Sequence, residues 1–290
     1  MAGLELSREL VDWASAVLGW RPTRVGDASW DHAESAVARL EADGGRRAVL
    51  KVHRQERKHR QERLALESWA PSLPGTPTLL GARDGPPFAL LMSARPGDRV
   101  DARERPRAMR RRVHAAAGAW LRRLHRLPFV DEDPVPLAAA LQARLGGWSR
   151  RAAGHLAPET LRWVSARVAA ADLRGVARVP CHRDFGPRNW LWDDAAGLSV
   201  IDFEHARPDV WWVDVQRLVD DTWRTDPGLE DAFWLGYGRR PDADERRLGA
   251  ALRLLYAVGT VAWGAEHGDA PFEAQGRAVL RRLGAPGCGP

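Results

Sequence analysis

The stretch CHRDFGPRNW, Cys181 to Trp190, decides how the chain is read. Two three-residue patterns overlap there on a single acid. His182-Arg183-Asp184 matches the start of a loop whose acid accepts a proton, while Asp184-Phe185-Gly186 matches a triplet whose acid holds a metal. One carboxylate cannot fill both posts, so the spacing that follows has to decide. Asn189 stands five residues after Asp184. A short apolar run comes next, Trp190–Trp192, then a turn over Asp193–Gly197 and a second run, Leu198–Ile201, ending at Asp202-Phe203-Glu204. A hairpin of that kind brings Asn189 and Asp202 to the same end of two paired strands. An amide oxygen and a carboxylate so placed can share a hard cation such as magnesium together with phosphate ligands. Asp184 is then free to take the proton of an attacking hydroxyl, the division of labour that phosphoryl transfer requires. On this reading the Asp184-Phe185-Gly186 triplet is a lookalike.

The N-terminal third offers an independent check. Lys51 lies inside an alternating run, AVLKVHR, in a chain whose only other lysine is Lys58. A solvent-facing edge position would suit arginine in so arginine-rich a sequence, whereas a compact ammonium suits a diphosphate as a point charge. Such a lysine needs an orienting carboxylate from the next helix, for which Glu56, Glu62 and Glu67 are candidates, the last two near the apolar face carrying Leu66 and Trp69. Gly26–His32 is small and polar and reads as a loop over the phosphates, with backbone amides and Ser29 as donors. Further on, ALLMSARPG suits a connection between two lobes, and backbone groups of Met92, Ser93 and Ala94 are candidates to pair with an adenine edge.

At 290 residues, with 44% hydrophobic and 28% charged residues, the chain has room for one large domain or two small ones sharing a cleft. Its net charge of +6 comes from arginine. Clusters such as Arg110-Arg111-Arg112 sit on expected helices with no nucleic-acid-reading motif beside them, so no nucleic-acid partner is expected. Cys181 and Cys288 lie too far apart in role and sequence for a disulfide framework. The first twenty residues lack a basic start and a long apolar core, and no uninterrupted apolar run of about 18 residues occurs; neither a signal peptide nor a membrane span is expected, and the expected compartment is the cytoplasm. Periodicity predicts a helix over 5–19, extended runs at Ala33–Leu40 and Arg46–His53 around an Asp43-Gly44-Gly45 turn, a helix over Arg54–Trp69, two strands around Asp84–Pro87, and mainly helix beyond 103. A small sheet-rich lobe, residues 1–94 with its N-terminal helix, thus precedes a larger helical lobe, 95–290, that holds the catalytic loop and acceptor site. No obligate protein partner is evident.

These segments resemble the aminoglycoside phosphotransferase family of small-molecule kinases. The residues that carry the likeness are VLK at 49–51, ERLALESWAPSLPGTPTLLG at 62–81, LLMSARPG at 90–97, LHRLP at 124–128, CHRDFGPRN at 181–189 and VIDFEHA at 200–206. The resemblance implies an α+β, two-lobed, protein-kinase-like fold with a five-stranded antiparallel N-terminal sheet. It also implies transfer of the γ-phosphate of ATP or GTP to a hydroxyl of a small molecule, an antibiotic first and a primary metabolite second. The resemblance implies Glu62, which stands at the family's offset before Pro74, as the partner of Lys51, with Asp184 as base and Asn189 and Asp202 as magnesium ligands. Arg183 stands where the family more often has glycine, and Gly186-Pro187-Arg188 replaces its usual ending before the asparagine. A polycationic acceptor would want carboxylates, and Asp209, Asp214, Asp220, Asp221, Asp226, Glu230 and Asp231 are available, Asp214 having a competing reading as a helix cap or loop staple. Arg188, Glu204, Asp220 and Asp221 are taken as acceptor contacts. The chain's own basicity opposes long-range steering of a cation. Two rival readings, a kinase fold without catalysis acting as a binding module and a basic nucleic-acid-binding protein, predict respectively no turnover and steeply salt-dependent nucleic-acid affinity.

Overall fold

The structure, a computed structural model, describes residues 6–29, 35–102 and 104–287. Helix α1 (Arg8–Leu18) is capped by the Ser7 hydroxyl, which accepts from the Leu10 amide at 3.3 Å. Strands β1 (Arg24–Asp27), β2 (Ser35–Ala42) and β3 (Arg46–His53) form an antiparallel meander whose tight turn is the Asp43-Gly44-Gly45 segment. Helix α2 (Glu56–Ser68) follows, then β4 (Leu79–Arg83) and β5 (Phe88–Ser93), completing a five-stranded sheet of order β1-β2-β3-β5-β4. Strand alternation divides the sheet's two faces. Ala48, Leu50, Ala89 and Leu91 pack under α1 with Leu10 and Ala14, while Leu90 and Met92 join the main core. Lys51 alternates with Leu50 and so lies on the face turned toward α2 and the rest of the molecule.

The remainder is mostly helical. After β6 (Asp98–Arg99) come α3 (Arg107–His125), α4 (Leu137–Ala152) and α5 (Pro158–Ala169), then β7 (Val179–Cys181), the hairpin β8 (Trp190–Asp193) and β9 (Gly197–Val200), and β10 (Arg207–Asp209). Five helices close the chain: α6 (Gln216–Asp220), α7 (Thr222–Thr225), α8 (Pro227–Tyr237), α9 (Ala243–His267) and α10 (Ala270–Arg282). The protein therefore has the two-lobed, kinase-like α+β fold, with an antiparallel five-stranded N-terminal sheet and a helical C-terminal lobe. Strands β6 and β10 pair with β8 and β7. Neither stands out in the sequence, because a two- or three-residue strand has no period of its own and exists only through a distant partner.

One expectation changes. Gly26 and Asp27, read as loop, belong to β1 and pair with Arg39 and Ala38; Trp30–His32, the end of that expected loop, and Ala33, the start of an expected strand, lie outside the described residues. Helix α9 is long and apolar enough by composition to cross a membrane, yet 72% of its apolar window is buried within the fold against α4, α5 and α10. It is the central helix of the lobe, opened by a capping box between Asp242 and Glu245.

Candidate active site

The hairpin forms in the expected register, with Trp190 opposite Val200 and the Ile201 amide donating to the Asn189 carbonyl at 3.0 Å. Asn189 and Asp202 thus meet at its open end. The hairpin is stitched to the N-terminal lobe by Gly75, whose carbonyl accepts from the Val200 amide at 3.1 Å. Gly75 has φ 72°, and a Cβ there would overlap the Leu198 carbonyl oxygen, so the close approach needs glycine on both counts.

The loop before the hairpin is held from beneath. Asp214 accepts from the His182 amide at 3.0 Å and from the Arg183 amide. His125 joins the same carboxylate at 3.0 Å through Nε2 and Tyr237 Oη at 3.0 Å through Nδ1, and burial pushes the Tyr237 phenol up to about 12, keeping it protonated. Asp214 is therefore a staple of the loop, and its carboxylate is spent. His182 adds a second tie: its Nδ1 accepts from the Asp184 amide at 3.3 Å and its Nε2 donates to the Ile201 carbonyl at 3.0 Å, which selects the Nε2–H tautomer. Arg183 and Asp202 both have left-handed backbones, φ 65° and 69°, a conformation that side chains with a Cβ rarely adopt and that the surrounding contacts must hold.

Asp184 is 5% exposed. Its Oδ2 accepts from Asn189 Nδ2 at 2.8 Å and from the Arg188 guanidinium, and its Oδ1 accepts from Arg217 Nη1 at 2.5 Å. Burial alone would raise its pKa, but Arg217 and then Arg188 outweigh that and hold the carboxyl below its ordinary range. The Asn189 nitrogen also donates to the Asp184 carbonyl at 2.9 Å, so the amide oxygen faces away from Asp184. The amide oxygen is left as a hard donor at the same end of the hairpin as the Asp202 carboxylate, a donor pair that fits magnesium.

Lys51 is held by three carboxylates: its Nζ lies 2.6 Å from Asp202 Oδ1, 2.8 Å from Glu62 and 3.1 Å from Glu204. Burial pulls the ammonium's pKa down, but the Asp202, Glu62 and Glu204 carboxylates together raise it above its usual value. Glu62 is 1% exposed, also lies 3.1 Å from His53, and accepts from the Phe203 amide at 3.1 Å. Lys51, aided by His53, overcomes its burial and lowers its pKa to about 2. The competing glutamates are on the surface, Glu56 paired with Arg60 and Glu67 with Arg63. Phe185, meanwhile, is buried 4.9 Å from the Trp190 ring, a core side chain as the lookalike reading of its triplet requires.

The expected nucleotide contacts fare unevenly. The Ser29 hydroxyl accepts from the Val37 amide at 2.9 Å and its own amide donates to Asp27 at 2.9 Å, so that amide is already used within the turn. Met92 is buried at the end of β5. The Ser93 amide donates to the Thr78 carbonyl and its hydroxyl accepts from the Thr78 amide, both at 2.9 Å, so both groups are engaged between the strand end and the preceding segment. Ala94 follows at the half-exposed start of the connection.

A cleft of about 550 Å³ opens in front of Asp184 and Asp202. Arg188 and Glu204 line it, but Glu204 is bound to Lys58 at 2.8 Å and Ser35 at 3.1 Å, so it belongs to the Lys51 network. Asp220 and Asp221 do not line it. Asp220 is 4% exposed and held by Arg253 at 2.5 Å and Arg282 at 3.0 Å, tying α6 to α9 and α10, while Asp221 lines a separate groove of about 480 Å³. The other acids are similarly engaged: Asp209 with Arg144 and Arg183, Asp226 with Arg107 and Arg110, Glu230 with the Trp234 indole, Asp231 with Arg240. What sequence reading passed over is Arg217 on Asp184 and a stripe on α9, Leu252, Leu255, Tyr256, Gly259 and Trp263, that lines the cleft. Its three- and four-residue spacing was a legible signal for a helix face, though not for which face meets a ligand.

A family model described as the phosphotransferase enzyme family (APH) matches residues 27–251. Among curated protein sequences none matches significantly. Solved structures match over nearly the whole chain. The gentamicin complex of APH(2″)-IIa is similar with a TM-score of 0.73 at 14% identity, covering 96% of this chain and 97% of that one. The macrolide 2′-phosphotransferase MphH from Brachybacterium faecium, as apoenzyme, gives 0.63 at 18% identity over 94% and 98%. Spectinomycin phosphotransferase APH(9)-Ia, with ADP and spectinomycin, gives 0.64 at 12% identity over 98% and 96%. At these identities the likeness establishes the fold.

Proposed function

The chain belongs to the phosphotransferase enzyme family (APH), and from that premise we propose that it moves the γ-phosphate of ATP or GTP onto a hydroxyl of a small molecule, with magnesium, in the cytoplasm. The observation that carries this reading is the separation of posts around one cleft: Lys51 bound to Glu62 and Asp202 on one side, Asp184 bound to Asn189 on the other. Lobe 1–94 then holds the nucleotide, and lobe 95–290 holds the catalytic loop and acceptor.

Asp184 acts on the acceptor hydroxyl. The hydroxyl oxygen forms the new bond to phosphorus, the bond from phosphorus to the β,γ-bridging oxygen breaks, the proton passes to Asp184, and the nucleoside diphosphate leaves. A carboxylate held below its ordinary pKa is a weak base but is always ionised, which suits orienting the hydroxyl and taking its proton late in a loose transition state. Asn189 fixes the carboxylate through Oδ2. Glu62 holds Lys51, whose ammonium is free to exchange the Asp202 oxygen for phosphate oxygens. Asn189 and Asp202 would hold magnesium, which when bound neutralises charge on the phosphates. The similarity to phosphotransferases solved with gentamicin and spectinomycin supports an antibiotic-type acceptor and a role in resistance.

The test is release of ADP or GDP from the magnesium-nucleotide across a panel of hydroxylated antibiotics and metabolites. Asp184→Ala should abolish transfer and leave nucleotide affinity intact; Asp202→Ala should weaken magnesium-nucleotide binding itself. Transfer that survives both substitutions sinks the assignment.

A further inference from the structure

The acceptor side of the cleft carries the charge opposite to what a polyamine would need. Four guanidiniums line it, those of Arg144, Arg183, Arg188 and Arg217. Only two carboxylates answer them. Asp184 takes Arg188 and Arg217, and Asp209 takes Arg144 at 2.8 Å and Arg183 at 3.0 Å. The remaining acids on the wall are committed elsewhere: Asp202 to Lys51, Glu204 to Lys58, and Asp269 to the Phe272 amide at the start of α10. Each of these two carboxylates is thus shared by two guanidiniums that face the cleft, an arrangement that suits a further anionic partner.

The rest of the wall is apolar and aromatic. Trp148 lies against Gly259, where a Cβ would meet its ring at 3.1 Å, and Trp263 stands edge-on to Phe272 at 5.3 Å. The Tyr256 hydroxyl is buried on this wall with no hydrogen-bond partner among the described residues. A hydroxyl in this position can donate to a ligand that enters the cleft.

We propose that the acceptor is a hydroxylated small molecule with an aromatic or apolar body and an anionic group, a carboxylate or phosphate ester, which docks on Arg217, Arg188 and the Arg144–Arg183 pair. The anion pairs with guanidiniums that otherwise share two carboxylates among four, the body packs on Trp148 and Trp263, and the Tyr256 hydroxyl offers a further hydrogen bond. Both Asp184 oxygens are held by arginine. An anion that draws Arg217 toward itself frees Oδ1 for the incoming hydroxyl, so the base is released by the molecule it acts on. This rests on the phosphotransferase reading, in which Asp184 faces the acceptor.

Calorimetric binding of four ligands built on one aryl sugar tests it: 4-nitrophenyl β-D-glucoside, the glucuronide, the glucoside 6-phosphate and the 2-amino-2-deoxy glucoside, each with and without a magnesium-bound non-hydrolysable ATP analogue. The glucuronide or the 6-phosphate should bind about tenfold or more tighter than the neutral glucoside, and the amino sugar weakest. Which anion is tighter identifies carboxylate or phosphate as the natural group. Arg217→Gln should erase most of that preference, and Arg217→Lys should keep part of it, retaining the charge without the fork. Equal affinity for the neutral and anionic ligands, tighter binding of the amino sugar, or an anion preference unchanged in both Arg217→Gln and Arg144→Gln overturns the proposal. Because binding is read without turnover, anion selectivity in a protein that transfers no phosphate would fail the enzymatic reading alone. Transfer without anion selectivity would fail only this one.

Discussion

Lys51 is 4% exposed and has Glu62, Asp202 and Glu204 all within reach. Removing one partner of a buried ion pair strands the other, at a cost of about 3–5 kcal/mol. Lys51→Met leaves three carboxylates facing one another, and urea unfolding should register a loss of that size together with lost nucleotide binding. Glu62 carries a pH signature. Its folded pKa of about 2 lies below the ordinary 4.5, so its contribution is complete above pH 4.5 and is lost as pH falls through about 2. Acid unfolding of Glu62→Gln, followed by circular dichroism, should therefore show a shallower loss of stability between those limits than the parent. A parent curve no steeper than the variant's would contradict the ion pair.

At the scale of elements, the catalytic loop depends on a staple outside itself. Asp214 precedes α6, yet it satisfies the His182 and Arg183 amides and is backed by His125 of α3 and Tyr237 of α8. Asp214→Ala leaves two buried amides without partners, each worth about 1–3 kcal/mol. Stability should drop accordingly, and turnover should fall although Asp214 does not line the cleft. The α3–α8 packing that supports this staple rests on small residues: a Cβ on Gly236 would overlap the Ala115 carbonyl, and one on Gly118 the Phe233 carbonyl. Gly236→Ala must push helix backbones apart, so thermal melting should report a loss of about 1–3 kcal/mol, toward the upper end because a backbone atom yields less than a side chain.

Across the whole molecule, the cleft gathers groups from both lobes, so ligand and fold are thermodynamically linked. A magnesium-nucleotide at a hundredfold excess over its Kd should stabilise the parent by about 2.7 kcal/mol, read as a higher melting temperature, and stabilise Asp202→Ala far less. The two-lobed plan and the central constellation were legible in the sequence for a common reason: strand alternation around Lys51, the interval from Asp184 to Asn189, and the hairpin that returns the chain at Asp202 are local in sequence, and local geometry follows from spacing. The same locality places Asp184 in the loop and Asp202 just past the end of the hairpin. The fate of the other acids was not legible. Asp220 meets Arg253 and Arg282, Asp209 meets Arg144 and Arg183, and Asp184 itself meets Arg217, all across tens of residues of intervening chain. In a chain with 44 basic and 38 acidic residues, every carboxylate has many possible partners. The sequence by itself determined the fold and the places of Lys51, Asp184, Asn189 and Asp202 along it. Only tertiary packing decided which acids are consumed as ion pairs and that arginine and tryptophan wall the acceptor side, because the partner of a charge is chosen by long-range contacts that no local period records.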